Sequence, residues 1–387
     1  MKILQVTNLF SPVHGGAAEV PYQLSKELAK RGHDVAVYTS DAKMGQERFT
    51  PVTGVKISPF KTLFGLATFY VTPAIIGQAK VEIKQTNVIH LHNYRTFQNV
   101  VVHHYARKYG IPYVLQAHGS LPRIMGKKIL KQLYDNAWGY RLLHDAARVF
   151  AVTDFEAAQY KSMGVSADRV EIVPHGVDLA EFNSLPKKGD FKRKYGLKED
   201  QRIILYLGRI HQIKGLDLLV EAFADIARVQ DNVNLVITGP DDGYLSTLKR
   251  LVSNLNIGER VLFTGLLDRQ EKLKAYIDAD VYVLPSSYEI FGITILEACA
   301  CGTPVVITDR CGIADVINGQ AGIAVPYDKE QLASAITHLL NDDKARLEFG
   351  KRGKLLVRDR FNWERIAKQV EGIYMTVLNS STLPLRE

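Results

Sequence analysis

Short runs of β-branched and apolar residues alternate with helix-length segments, and they do so in two separate series along the chain. Residues 2–7, 34–39, 88–91, 113–116, 149–152 and 170–173 read as strands, with helical patterns such as 19–31 between them. Such alternation builds a parallel sheet with helices on its faces. Polar and basic residues interrupt the rhythm around 183–201, and it resumes at 203–207, 235–238, 261–263, 281–284 and 304–307. The expected fold is α/β: two doubly wound parallel-sheet domains facing across a cleft, spanning residues 1–185 and 201–361 with a linker at 186–200. A last helix over 362–387 could pack on either domain, including back on the first. Sheets of this kind bind ligands outside the carboxyl ends of their strands, so functional residues are expected just after strands.

A length of 387 residues fits two or three domains, and 46% hydrophobic with 23% charged residues excludes disorder as the main state. Cys299, Cys301 and Cys311 are too few for a disulfide framework and lack zinc-ligand spacing, which favours reduced thiols and a cytoplasmic protein. The opening residues, Lys2-Ile3-Leu4-Gln5-Val6-Thr7, fit a first strand better than a signal peptide, so secretion is not expected. The charge-free stretch 62–79 contains Thr68, Thr72, Pro73 and Gln78 and is not read as a membrane span.

The net charge of +8 is uneven: residues 1–185 hold 21 Lys/Arg against 14 Asp/Glu, and 56–148 alone holds 13 basic residues against Glu82, Asp135 and Asp145. Basic residues there, Lys127, Lys128 and Lys131 among them, interleave with Ile129, Leu130, Tyr134 and Trp138. That mixture suits a peripheral surface on anionic lipid at the inner face of the plasma membrane, and it equally suits a solvated helix face with an apolar side in the core. No helix-turn-helix, zinc-finger or RNA-recognition signature accompanies the charge, so nucleic acid is not an expected partner.

Two loops carry the chemistry. After the strand at 203–207 come Gly208-Arg209-Ile210-His211-Gln212-Ile213-Lys214-Gly215, where glycines admit close backbone approach and two cations can balance a nucleotide diphosphate. After the strand at 281–284 comes a helix opening near Gly292, whose free N–H groups and positive dipole end suit phosphate. Glu289 precedes that opening and Glu297 lies in the second turn, within about 12 Å along the axis. Carboxylates beside phosphate need hydroxyl donors, which a sugar and a ribose supply; as plain composition, the same residues read as surface charge.

With Phe291-Gly292 between Glu289 and Glu297, this E-x7-E pattern resembles retaining glycosyltransferases of the GT-B fold, glycosyltransferase family 4, whose fold is two Rossmann-like domains. The Gly208–Gly215 loop, Gly15-Gly16, His118-Gly119 and Pro174-His175-Gly176-Val177-Asp178 extend the resemblance over nearly the whole chain, with His175 standing where the family more often has Asn. The resemblance implies an acceptor-binding first domain and a nucleotide-sugar-binding second one. It implies that Arg209 and Lys214 neutralise the donor diphosphate, that Glu289 holds sugar hydroxyls and Glu297 the ribose, and that backbone groups of Phe291, Gly292 and Ile293 contact phosphate and sugar. Gly15 and Gly16 would close over the diphosphate, and His118 would face the transferred sugar. Gly239 and Leu266, after two further strands, are expected near the base.

His118 follows an apolar run and also reads as a hydrogen-bonded structural histidine; His90, His92, His103 and His104 receive no catalytic role. The expected activity is metal-independent, cofactor-free retaining transfer of a hexose from a UDP- or GDP-sugar to a lipid-linked glycan or glycolipid. The alternatives are a soluble small-molecule or sugar-phosphate acceptor, or a non-catalytic nucleotide-sugar sensor.

Overall fold

The computed structural model describes residues 1–11, 16–42, 51–66, 69–123 and 126–381. The chain divides into two compact units, Met1–Gly176 with Trp363–Glu387, and Val177–Asn362.

The first unit contains strands β1 (Lys2–Val6), β2 (Asp34–Ser40) and β3 (Val55–Phe60), and a small antiparallel hairpin of β4 (Phe64–Leu66) and β5 (Phe69–Val71). Then follow β6 (Val88–His92), β7 (Tyr113–Gln116), β8 (Arg148–Ala151) and β9 (Val170–Ile172). Apart from the hairpin, all join one parallel sheet in the order β3-β2-β1-β6-β7-β8-β9. Its central strands are buried on both faces, which is why they read as nearly continuous apolar runs. Gln5 in β1, His90 and His92 in β6 and Gln116 in β7 are polar yet buried.

The second unit holds β10 (Arg202–Leu207), β11 (Val233–Thr238), β12 (Val261–Gly265), β13 (Val281–Leu284), β14 (Val305–Thr308) and β15 (Gly322–Val325). They pair in parallel in the order β12-β11-β10-β13-β14-β15. Counted from β10, this is the doubly wound Rossmann order, which reverses between β10 and β13. Edge strands β3 and β15 were absent from the sequence reading. β3 alternates polar with apolar residues and carries Pro59, which an edge tolerates, and β15 is short with two of its four residues only partly buried.

The unit boundary differs from the expected linker. Residues 186–200 belong to the second unit: the helix Asp190–Lys194 buries Phe191, and the Asp278 carboxylate accepts hydrogen bonds from the Gly189 and Lys192 amides at 2.5 and 2.9 Å. Lys187, Lys188, Lys194 and Lys198 face water around that anchor while Lys192 is buried, so composition alone imitates a linker. The units instead divide at Gly176/Val177 and Asn362/Trp363. The final helix, Trp363–Ser381, belongs to the first unit, where buried Tyr374 reaches His90 and the Glu371 carboxylate meets Arg31 and, at 2.8 Å, His33.

Among the described residues no helix is long and apolar enough to cross a membrane. The three cysteines are buried and free, and burial pushes the thiols of Cys299 and Cys311 up to about 12, leaving them inert.

Candidate functional site

At the β10/β13 reversal the two chemistry-bearing loops leave neighbouring strand ends, and close backbone contacts latch them together. Gly215, at φ +64°, passes so near the other loop that a Cβ would stand 2.0 Å from the Pro285 carbonyl oxygen. The Ser287 amide and hydroxyl both donate to the Ile213 carbonyl at 3.0 Å. The backbone of Glu289 is held in turn by the loop after β14, its N–H donating to Arg310 and its C=O accepting from Gly312. These constraints bring Lys214 Nζ to 2.5 Å from Glu289 Oε2, with both side chains less than one-fifth exposed.

Past Glu289 the chain turns at Gly292, in the left-handed region at φ +78°, into the helix Ile293–Cys301. No side chain caps this helix and its first turn carries no acidic residue, so its amides and positive dipole end are available to an anion. The Phe291 ring is buried against Phe361, and its amide donates to Glu289 Oε1 at 3.5 Å.

The remaining expected donor residues have other partners. Glu297 lies in the second turn, accepting from the Tyr276 hydroxyl and from Lys272 Nζ, each at 2.7 Å. Arg209 pairs with Asp242, both side chains about half exposed, while its carbonyl accepts from Tyr206. The two cations thus have separate counter-ions. Gly239 and Leu266 follow the neighbouring strands β11 and β12; the Gly239 amide donates to Gly265, and Leu266 is 77% exposed. Gly16 opens the helix Gly16–Lys30 after β1, and Gly15 lies outside the described residues.

The first unit contains a cluster the sequence reading did not assemble. Gln5 Oε1 stands 2.5 Å from His92 Nε2, His92 Nδ1 2.9 Å from His118 Nε2, and His118 Nδ1 3.0 Å from His175 Nε2. Beside this chain, His90 stacks on His92 at 4.0 Å and shares a 2.7 Å hydrogen bond with the Tyr374 hydroxyl. Burial holds all four imidazoles below their ordinary value, His175 down to about 3, so they are neutral at pH 7. A neutral imidazole has one donor and one acceptor and the Gln5 oxygen can only accept, so donation runs in a single direction, from His175 through His118 and His92 to Gln5. His118 sits at φ +52°, a strained setting for a non-glycine residue, and both its ring nitrogens are engaged by other histidines. Hydrogen bonding of His118 to a sugar therefore requires one of these contacts to open. The available sequence signal was two histidines at i and i+2 in an otherwise apolar strand next to the sheet reversal.

Lys127 and Lys128 are exposed at the start of the helix Lys128–Tyr134, Lys131 is partly buried, and Ile129, Leu130 and Leu133 beside them are more than half exposed.

Two doubly wound parallel sheets, one with an uncapped helix mouth at its strand reversal, are the architecture of the GT-B fold. The description "Glycosyltransferase Family 4" matches residues 14–181 and "Glycosyl transferases group 1" matches 187–356. The D-inositol 3-phosphate glycosyltransferase of Acidothermus cellulolyticus is 30% identical over 94% of this chain and 86% of its own. The alpha-monoglucosyldiacylglycerol synthase of Streptococcus pneumoniae is 27% identical over 88% of this chain and 78% of its own. In fold, HepE of Anabaena, solved in complex with UDP-glucose, superposes with a TM-score of 0.78 at 19% identity, covering 97% of this chain and all of that one. The chain belongs to the group 1 / family 4 glycosyltransferases.

Proposed function

We propose that this protein is a retaining, metal-independent hexosyltransferase that moves a sugar from a UDP- or GDP-sugar to a lipid-linked glycan or glycolipid at the cytoplasmic face of the membrane. The observation that carries the donor reading is the Lys214–Glu289 pair beside the uncapped mouth of the helix Ile293–Cys301. A diphosphate arriving there replaces carboxylates as counter-ion to Lys214 and Arg209 and takes the free amides at Gly292. Glu289, relieved of Lys214, then accepts hydroxyls of the sugar, and Glu297 those of the ribose. Gly15 and Gly16 cover the diphosphate, Gly239 and Leu266 meet the base, and His118 contacts the transferred sugar.

Catalysis rests on positioning and on stabilising charge as the diphosphate leaves, with no carboxylate attacking the anomeric carbon. The acceptor enters on the face the diphosphate vacates, which retains configuration, and a phosphate oxygen takes the acceptor proton. HepE binds UDP-glucose on the same fold, which supports the uridine option.

The acceptor reading rests on the exposed Ile129, Leu130 and Leu133 beside Lys127, Lys128 and Lys131, and on the diacylglycerol-lipid product named for the streptococcal relative. A soluble phosphorylated acceptor is the second reading, favoured by the inositol 3-phosphate enzyme of Acidothermus. Turnover across UDP- and GDP-sugars, with and without a chelator, tests the donor and metal parts; absence of both binding and reaction with every donor removes the proposal. Flotation with anionic against neutral vesicles tests the membrane part. Each lysine near an anionic surface contributes about 1 kcal/mol, so replacing Lys127, Lys128 and Lys131 by Gln should weaken attachment by about a hundredfold. Equal recovery of wild type on both vesicles favours the soluble acceptor.

A further inference from the structure

The helical segment that follows Lys127 changes hydrogen-bond pattern midway: Lys128–Tyr134 is α-helical, Asp135–Gly139 is a π turn and Tyr140–His144 is α-helical again. Inserted π turns recur at functional positions. This one is strongly held. The fully buried Asp135 carboxylate accepts from Arg95 Nε and Nη2 at 2.9 and 2.8 Å and from Arg123 Nε at 2.8 Å. Gly139 packs so tightly that a Cβ would stand 2.4 Å from the Tyr94 hydroxyl oxygen. The outward side of the turn carries Trp138, 47% exposed.

Trp138 lines a cavity of about 550 Å³ shared with the helices Phe97–Tyr109 and Ile75–Glu82. Its lining is apolar at Trp138, Ile76 and Val100 and basic at Arg107, Arg141 and His104, with no carboxylate. Arg107 is partly neutralised by Asp145, at 3.1 Å, a carboxylate that also meets His103 and His144. Arg141 is exposed and has no ion-pair partner among the described residues. A cavity of this size accepts a small ligand, and a free guanidinium beside an indole and aliphatic side chains suits a phosphate joined to hydrocarbon. The same helical segment exposes Ile129, Leu130 and Leu133, apolar side chains of the kind that meet a lipid surface.

We propose that this cavity is a binding site for one lipid whose phosphate headgroup carries net negative charge, with that headgroup on Arg141 and Arg107 and its chain along Trp138. None of the lining residues belongs to the candidate donor set, so the site extends the membrane reading above without depending on the donor chemistry.

The test uses the full chain and monomeric dihexanoyl phosphatidic acid, with dihexanoyl phosphatidylcholine and inorganic phosphate as comparison probes. The chain has two tryptophans and Trp363 is buried, so an emission change on binding reports Trp138. The expected result is a saturable blue shift with phosphatidic acid, weakened by about tenfold in Arg141→Gln through loss of the charge-assisted bonds. The shift should vanish in Trp138→Phe, while thermal stabilisation by the same lipid persists. No saturable change, an equal response to phosphatidylcholine, or unchanged affinity in Arg141→Gln would overturn the assignment, and equal affinity for inorganic phosphate would make it an anion site instead of a lipid site. Vesicle flotation separates this from the membrane reading: flotation without monomer binding removes only the cavity site, and monomer binding without flotation removes only the membrane surface.

Discussion

Lys214 and Glu289, 75 residues apart in sequence, meet at 2.5 Å where β10 and β13 lie side by side. The pair stores a cation and a carboxylate beside a helix mouth with no capping side chain. An anionic ligand bearing hydroxyls suits both halves, since its charge satisfies the lysine and its hydroxyls satisfy the glutamate. Neither half of that ligand alone would do so.

Removing either member should therefore reduce turnover. Lys214→Ala and Glu289→Ala are each expected to lower kcat/KM by about tenfold or more, equivalent to about 1.4 kcal/mol of transition-state stabilisation. Steady-state kinetics with the active nucleotide sugar checks this, and wild-type rates in both folded variants would mean that the pair is structural.

Arg209 leads to a different expectation. Its partner Asp242 is about half exposed, and an ion pair that open to solvent contributes about 0–1 kcal/mol to stability. Asp242→Asn should leave Tm nearly unchanged and tighten binding of the nucleoside diphosphate about two- to threefold, because a competing carboxylate is gone. Calorimetric titration measures it; weaker binding would show that Asp242 positions Arg209 for the ligand.

Gly215 tests the latch between the loops. Gly215→Ala places a methyl against the Pro285 carbonyl at a positive φ, and should cost more than about 1 kcal/mol of stability along with donor affinity. Gly258→Ala, where a Cβ meets nothing within 4 Å, serves as the comparison and should be close to neutral. Equal denaturation midpoints for the two variants would contradict the close approach.

The histidine chain predicts a pH dependence. In the unfolded chain each imidazole takes up a proton near pH 6.5, whereas burial keeps His90, His92, His118 and His175 neutral in the native state, His175 down to about 3. Each therefore contributes stability that is present above pH 6.5 and is lost as pH falls from there toward the native value. Glu156 works oppositely: burial raises it from 4.5 to about 7, so its contribution is present below pH 4.5 and is lost as pH rises toward 7. Comparing His175→Asn with wild type isolates one imidazole. Between pH 6 and 5 the wild type should lose about 1.4 kcal/mol per pH unit more than the variant. Parallel unfolding curves across that range would show that His175 is not buried as a neutral group.

The doubly wound series could be read from residues such as Ile203-Ile204-Leu205-Tyr206-Leu207, because strands covered on both faces must be apolar almost throughout. The helix opening at Gly292 was legible for a similar reason: a glycine at positive φ followed by an apolar helical pattern is a local signature. The edges were harder. β3 and β15 bury less and therefore carry less pattern, and residues 186–200 look like a linker until Phe191 and Asp278 are seen to hold them.

The sequence by itself determined the class of fold, the two series of strands, the helix mouth and the residue types around it, since each depends on interactions between near neighbours in the chain. The tertiary structure alone decided that Lys214 reaches Glu289 while Arg209 turns to Asp242 and Glu297 to Lys272 and Tyr276. It also decided that Gln5, His92, His118 and His175 form one hydrogen-bonded line. Strand order sets those pairings, and strand order comes from packing helices over a twisted sheet, a long-range outcome to which no local run of residues corresponds.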